Sequence, residues 1–237
     1  MLDAMVTGKV LLIRVTIPEG FTLTQIAQAV EAAGLSSADD IMAAARQAAL
    51  LERLGVASAN AEGYLFPDTY LFARNTSADE VVAAMVSRFE AVYTAEFHSR
   101  ADELGLTRHE VVTLASIVEK ESGNVSEQPR IASVFHNRLG RGMRLESDPT
   151  VIFGLGDAFD GNLTRQHLVT PNPYNTYTMA GLPPGPIASP GETALKAVLF
   201  PEDSAYLFFV SKNDGSHYFS KTYAEHNRAV RRYQLSN

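Results

Sequence analysis

The sequence predicts an α+β protein. A small N-terminal α/β lobe is followed by a mainly helical region, a long irregular segment that forms a groove, and a C-terminal β-hairpin. Three observations predict this. Helix-start pairs of the form Ser/Thr-x-x-Glu recur at Ser77/Glu80, Thr107/Glu110 and Thr222/Glu225, each able to satisfy otherwise unpaired N–H groups of a first helical turn. Strand-like runs are short and fall at Val10–Ile17, within Glu62–Tyr70 and in Ala205–Ser220. Between Arg141 and Pro190 about fifty residues show little periodicity and are broken by Asp148-Pro149, Pro171, Pro173 and Pro183-Pro184-Gly185-Pro186.

Taken in order, Val10 to Ile17 is β-branched and apolar and predicts a strand closed by Pro18-Glu19-Gly20. Thr22 to Ala33 has helical spacing at Ile26 and Val30, with Gly34 as its stop, and Ser37 to about Leu54 predicts a second, alanine-rich helix. Glu62-Gly63-Tyr64-Leu65-Phe66-Pro67-Asp68-Thr69-Tyr70 predicts a short strand entering a turn, where Glu62 and Asp68 could line a sugar-sized groove beside aromatic faces. Ser77 opens a long helix to about Tyr93 or beyond, buried along Val81, Met85, Phe89 and Val92. Thr107 opens the helix that ends in Glu119-Lys120-Glu121-Ser122, with Gly123 expected to stop it in the left-handed conformation. Ser126 starts another helix, with Ile131, Val134, Phe135 and Leu139 as its stripe, Gly140 as its stop, and Asn137 upon it. Ser189-Pro190-Gly191-Glu192 reads as a helix start with serine as cap. Ala205–Ser211 and Ser216–Ser220 predict strands around Asn213-Asp214-Gly215, and Thr222 opens a last helix. No repeat or linker is visible, and Thr76–Asn237 reads as one unit expected to share a sheet with the N-terminal lobe.

Hydrophobic content of 46% and charged content of 20% are ordinary for a globular protein. A net charge of -7 without a Lys/Arg cluster argues against nucleic acid as a partner. The absence of cysteine excludes disulfides, thiolate catalysis and Cys-ligated zinc. No run approaches the ~18 apolar residues of a membrane span, and with Asp3 so early and Val10–Ile13 so short the start is no signal peptide. Either the protein is cytosolic or anchoring segments lie upstream; a start that reads as the end of a helix and a strand favours the latter.

The six histidines show no i, i+4 pair and no His-Glu-x-x-His, so no metal site is expected. There is no Gly-x-Ser-x-Gly turn and no glycine-rich phosphate loop after a strand. What remains is carboxylate chemistry in a polar, aromatic, loop-lined cleft, with no cofactor. On the helix that starts at Thr107, the residues Val111, Leu114, Ala115, Val118 and Ser122 form one stripe, with Glu121 at its edge. Burial and the negative end of the helix dipole would both disfavour an ionised Glu121, and a carboxyl protonated near neutral pH suits a general acid. Glu119 and Glu121 diverge by about 200° and cannot face each other. Periodicity prefers Glu121 only slightly, and on periodicity alone two solvated carboxylates at a helix end is the leading reading. Tyr174-Asn175-Thr176-Tyr177 joins aromatic faces to amide and hydroxyl groups, as a carbohydrate site would; a loop packing on the core would read the same.

Several stretches carry a resemblance. Ala115-Ser116-Ile117-Val118-Glu119-Lys120-Glu121-Ser122, Ala132-Ser133-Val134-Phe135-His136-Asn137-Arg138-Leu139, Gly142-Met143-Arg144-Leu145 and Ser147-Asp148-Pro149-Thr150-Val151-Ile152 resemble the YceG-like family of endolytic murein transglycosylases, the MltG type. Tyr174–Tyr177, Gly181-Leu182-Pro183-Pro184-Gly185 and Glu62–Tyr70 are similar to the same family. The resemblance implies a lyase that cuts peptidoglycan glycan strands internally, leaving 1,6-anhydro-N-acetylmuramic acid ends. It places the essential glutamate at Glu121, in an element also similar to the Glu-Ser of goose-type lysozymes. Glu62, Ser122, Asn137, Asp148, Tyr174, Asn175, Thr176 and Tyr177 are the expected substrate-binding residues.

The family's architecture further implies a membrane helix and a LysM-like lobe ahead of the catalytic domain, facing the periplasm or cell exterior. This sequence is expected to lack the helix and most of the lobe, leaving 1–75 as an N-terminal α/β portion and 76–237 as the catalytic core. Glycan strands, and cell-wall synthases, are the expected partners. Two rival readings are a lysozyme-like hydrolase, using Glu62, Asp68 or Asp148 as second carboxylate, and a non-catalytic glycan-binding module.

Overall fold

A computed structural model describes residues 12–235. Val10, Leu11 and the residues before them, on which the reading of the chain start depended, lie outside this range. β1 (Leu12–Thr16) pairs antiparallel with β2 (Thr69–Ala73), Val15 opposite Tyr70. Val15 and Phe72 are buried while Leu12, Arg14, Thr16 and Leu71 are exposed, the two-residue alternation of a ribbon with one covered face. Between the strands lie α1 (Leu23–Ala32), α2 (Ala38–Ala44) and α3 (Ala48–Arg53). Thr22 and Gln25 form a capping box at α1.

The single helix predicted from Ser37 to Leu54 is thus two. The Ala45 carbonyl accepts from the Ala61 amide at 2.8 Å instead of continuing the helical ladder, and Gln47 takes an extended conformation. The strand predicted at Glu62–Phe66 is instead a turn, with Tyr64 N donating to Ala61 O, and the strand begins only after Pro67-Asp68. Gly63 is left-handed at φ 81°, and a Cβ there would overlap the Pro186 ring. The turn therefore lies flat on the proline-rich loop, where a ladder has no room.

α4 (Ala78–Val92) carries the Ser77/Glu80 capping box. A separate helix, α5 (Ala95–Leu104), follows; Tyr93 and Thr94 leave helical geometry, so what read as a continuation is a new element. α6 (Arg108–Glu121) starts at the Thr107/Glu110 box, and every residue from Val111 to Val118 is buried. A helix apolar on all sides belongs at the centre of a core. It ends at Ser122, which is extended, and Gly123 is not left-handed; the Ser122 hydroxyl donates to Asn124 O at 2.6 Å and makes the turn that the glycine was expected to make.

A 3-10 turn at Val125–Glu127, capped by Asn124, leads into α7 (Gln128–Gly140), so Ser126 does not start the helix. The segment expected to be irregular contains α8 (Asp148–Leu155), which opens on Asp148-Pro149, and α9 (Arg165–Val169). α10 (Glu192–Leu199) begins at Gly191 and not under a Ser189 cap: the Gly191 amide is taken by Glu119 Oε2 at 3.1 Å, and the Ser189 hydroxyl is buried without a partner. β3 (Phe208–Ser211) and β4 (His217–Ser220) form the hairpin, and α11 (Tyr223–Gln234) packs against it.

The two ribbons do not share a sheet. The packing between the halves is helical, with α2 against α4, while α10 packs against α6 and α7 within the second half. One continuous buried cluster runs from Val15 and Ile26 through Met85 and Phe89 to Leu114, Ile131 and Leu195. No described helix is long and apolar enough to cross a membrane.

Candidate active site

α6 delivers Glu121 as its last helical residue to a cavity of about 290 Å³ lined by Arg138, Leu145, Glu146, Asp148, Tyr177, Phe209 and His226. The residue is half-buried, with one carboxyl oxygen held against Ser147 and the carboxyl facing the cavity. Ser147 Oγ donates to Glu121 Oε1 at 2.5 Å, and Oε2 makes no hydrogen bond among the described residues. Enclosure raises the carboxyl from 4.5 to about 7; the negative charge of Asp148 adds to the rise, while the Ser147 hydrogen bond and the Arg138 charge oppose it. Loss of hydration is therefore the leading cause of the proton's retention.

The loop that carries Ser147 is fixed from behind. Thr176, fully buried, accepts from the Ser147 amide at 3.0 Å through its hydroxyl and from the Glu146 amide at 3.2 Å through its carbonyl. Thr150 closes the group, bonding Thr176 Oγ1 at 2.8 Å and Ser147 O at 2.7 Å. Asn175 sits beneath, its amide nitrogen facing the carbonyls of His167, Leu168 and Thr170 and its oxygen accepting from the Tyr177 amide. Glu146 is held at φ 53°, a left-handed backbone that an L-residue adopts at a cost of roughly 1 kcal/mol and that recurs at functional sites.

Arg138, 7 % exposed, donates to Leu207 O, Leu145 O and Glu146 Oε2 at 2.7, 2.9 and 3.0 Å. Tyr177 donates its hydroxyl to Asp148 Oδ1 at 2.6 Å, and burial together with that carboxylate pushes the phenol far above its usual range.

Of the residues expected from the sequence, Glu121, Asp148 and Tyr177 come together in this cavity. Thr176 and Asn175 stand behind it as a brace. Tyr174 lies on the other side of α8, its ring 4.8 Å from Phe153 and its phenol under the influence of Glu62. Glu62 belongs to a second cleft of about 480 Å³, lined among others by Leu23, Asn60, Ile152 and Phe153. Both Glu62 oxygens lie 3.0 Å from the Leu23 amide at the start of α1, and burial raises this carboxyl to about 7 against the pull of that amide. Asn137 is outside both clefts: its amide donates to Ser204 O and Tyr206 O and pins the chain leading to β3. Ser122 is spent on Asn124 O, and Asp68 pairs with Arg88 at 2.6 Å. Glu119 turns away from Glu121 to hold Gly191.

Arg138, Glu146, Ser147, Phe209 and His226 are not among the site residues expected from the sequence, although Arg138 and Ser147 stand in stretches that carry the resemblance. Arg138 also has a pattern signal, since it falls three residues after Phe135 and seven after Ile131, a cation on the buried stripe of α7. Among the described residues no group of His, Asp or Glu is arranged to hold a metal ion.

Residues 1–232 match the YceG-like family. The chain is 35% identical over 235 residues to an endolytic murein transglycosylase of Bacillus subtilis, covering 93% of this chain and 65% of that protein. It is 33% identical over 240 residues to an endolytic murein transglycosylase of Streptococcus pneumoniae, covering 91% of this chain and 43% of that protein. The chain thus spans less than two thirds of the length of these curated relatives. The crystal structure of a YceG-like protein from Listeria monocytogenes superposes with a TM-score of 0.84 at 34% identity, over 96% of this chain and 80% of that one.

Proposed function

The chain belongs to the YceG-like family, and from that premise we propose that it is the glycan-cleaving part of an endolytic peptidoglycan lytic transglycosylase, with Glu121 as its acid and then its base. The observation that carries this reading is the cavity-lining Glu121 carboxyl, raised by burial to about 7, with Ser147 on one oxygen and the other oxygen without a hydrogen-bond partner among the described residues. A group that titrates near neutral pH can both give and take a proton.

Glu121 protonates the oxygen linking N-acetylmuramic acid to N-acetylglucosamine. As that bond breaks, positive charge develops at C1 of the muramyl ring. Glu146 and Asp148, in the same cavity, favour that charge. The Glu121 carboxylate, now steadied by the Ser147 hydroxyl and the nearby Arg138 charge, takes the proton of the same sugar's C6 hydroxyl. That oxygen attacks C1 and closes a 1,6-anhydro ring, with no water consumed. Tyr177 keeps Asp148 in place through its hydroxyl, and Thr176 keeps Ser147 in place. All of these groups fall in the 76–237 portion. The proposal extends to attachment at the cytoplasmic membrane, a site facing the periplasm or cell exterior, and cell-wall synthases as partners, which the family resemblance supports.

Asp148 beside Glu121 favours one second reading, a hydrolase in which Asp148 assists a water. One experiment separates them: sacculi are digested with wild type and with Glu121→Gln, and the released ends are analysed by mass spectrometry. Anhydro ends from wild type and none from the variant are expected. Reducing ends instead would make the protein a hydrolase, full activity in the variant would remove Glu121, and sacculus binding without release would leave a binding module.

A further inference from the structure

His226 lines the Glu121 cavity from α11, and the mechanism above makes no use of it. Its ring stacks on Phe208, centroids 5.3 Å apart and planes 26° apart, and the Arg138 guanidinium lies 5.0 Å from the centroid of the same Phe208 ring. Tyr223 flanks the imidazole at 6.4 Å. The ring is thus fixed in orientation by flat neighbours. Phenylalanine or leucine would serve a purely packing role there without introducing a polar atom.

The polar atoms of this imidazole are unspent. Nδ1 is enclosed and has no hydrogen-bond partner among the described residues. Nε2 is neither enclosed nor bonded among the described residues, which leaves it as the nitrogen open to the cavity. An orphaned buried N–H is rarer than an orphaned acceptor, so the proton belongs on Nε2. Burial, and then the charge of Arg138, lower the affinity of His226 for a second proton, while Glu146 opposes them. The other polar side chains of the cavity are committed or of the wrong kind. Tyr177 donates to Asp148, and Arg138 donates to backbone carbonyls and Glu146. Glu146 and Asp148, as carboxylates, only accept.

We propose that His226 is a substrate-contacting residue, whose Nε2–H donates to a hydroxyl or acetamido oxygen of the N-acetylhexosamine ring bound beside Glu121. This rests on the glycan-cleaving reading given above.

The test measures binding of soluble, peptide-free strands of alternating N-acetylglucosamine and N-acetylmuramic acid by calorimetry, in a Glu121→Gln background that prevents turnover. Adding His226→Phe keeps the aromatic stack and removes the donor; Kd should rise about two- to tenfold, the range of one neutral hydrogen bond. Adding His226→Gln restores an N–H donor in a poorer stack; Kd should stay within about twofold of the parent. Melting temperatures of both variants report packing separately. Equal Kd values in all three proteins, or tighter binding by the phenylalanine variant than by the glutamine variant, would overturn the proposal, since the second order is that of a packing residue. In the otherwise native enzyme the same ranking should appear in KM. A Glu121→Gln parent that binds no strand, with a wild type that releases no ends from sacculi, would instead overturn the glycan-cleaving reading itself.

Discussion

Glu121→Gln should gain stability over wild type as the pH rises. The carboxyl is held at about 7 in the folded protein against 4.5 when unperturbed. Between those values the folded state binds more protons than the unfolded chain, so stability falls as pH increases through the window. A rise of that size corresponds to at most about 3 kcal/mol lost above pH 7 relative to the acid end. Glutamine is the neutral isostere of the protonated form, and its amide oxygen can still accept the Ser147 hydroxyl, so the variant avoids that loss. Glu62 is also raised to about 7, but it is present in both proteins and cancels from the difference. Denaturant melts at pH 5, 6, 7 and 8 should show the variant close to wild type at the lowest pH and about 2–3 kcal/mol more stable at the highest, about 4–12 °C in melting temperature for a chain of this size. A difference that does not change with pH, or a variant less stable at pH 8, would refute the claim that enclosure holds the proton on Glu121.

Other perturbations separate the acid from its supports. Ser147→Ala removes a hydrogen bond that favours the carboxylate; the Glu121 pKa should climb by about one unit or more, which moves the alkaline limb of the pH–rate profile to higher pH while lowering the maximal rate. Thr176→Val leaves the Ser147 amide without its acceptor; chemical denaturation should register a loss of about 1–3 kcal/mol, and the alkaline limb should move in the same direction as in Ser147→Ala. Asn137→Ala breaks two bonds to the chain before β3; it should cost about 2 kcal/mol in the same melts and leave the pH–rate profile where it is, because the side chain reaches neither cleft.

Local signals in the sequence located most elements. The boxes at Ser77, Thr107 and Thr222 start helices where they stand, because the competing partners of a first helical turn are only three residues away. The errors share another cause. Ser189 loses its capping role to a distant carboxylate, Glu119, and Gly123 loses its role to the Ser122 hydroxyl. Ala45 gives its carbonyl to Ala61 and splits a helix that alanine propensity favours. In each case a tertiary or loop hydrogen bond outweighed a local preference worth about 1 kcal/mol. The site divides along the same line. Glu121 was visible as a carboxyl at the end of an apolar helix. Ser147 and His226 are ordinary polar residues in sequence, and only the folded chain brings them to the same cavity. Asn175 reads as a ligand for sugar because amides suit sugars, and Asn137 is expected to be one because it stands in a stretch that carries the resemblance; amides suit backbone carbonyls equally well, and here both bind those.

The helix that ends in Glu121 is enclosed by protein along all of Val111–Val118. Its amides should exchange with solvent only through openings close to global unfolding. The proposed acid is therefore mounted on the part of the molecule least able to rearrange, while the rest of the wall comes from Arg138 on α7, the Leu145–Tyr177 segment, the hairpin and α11. On the proposed reading, accommodation of different glycan strands falls to that wall. Under selection for new substrates, the proton donor would stay still and the cradle would evolve around it.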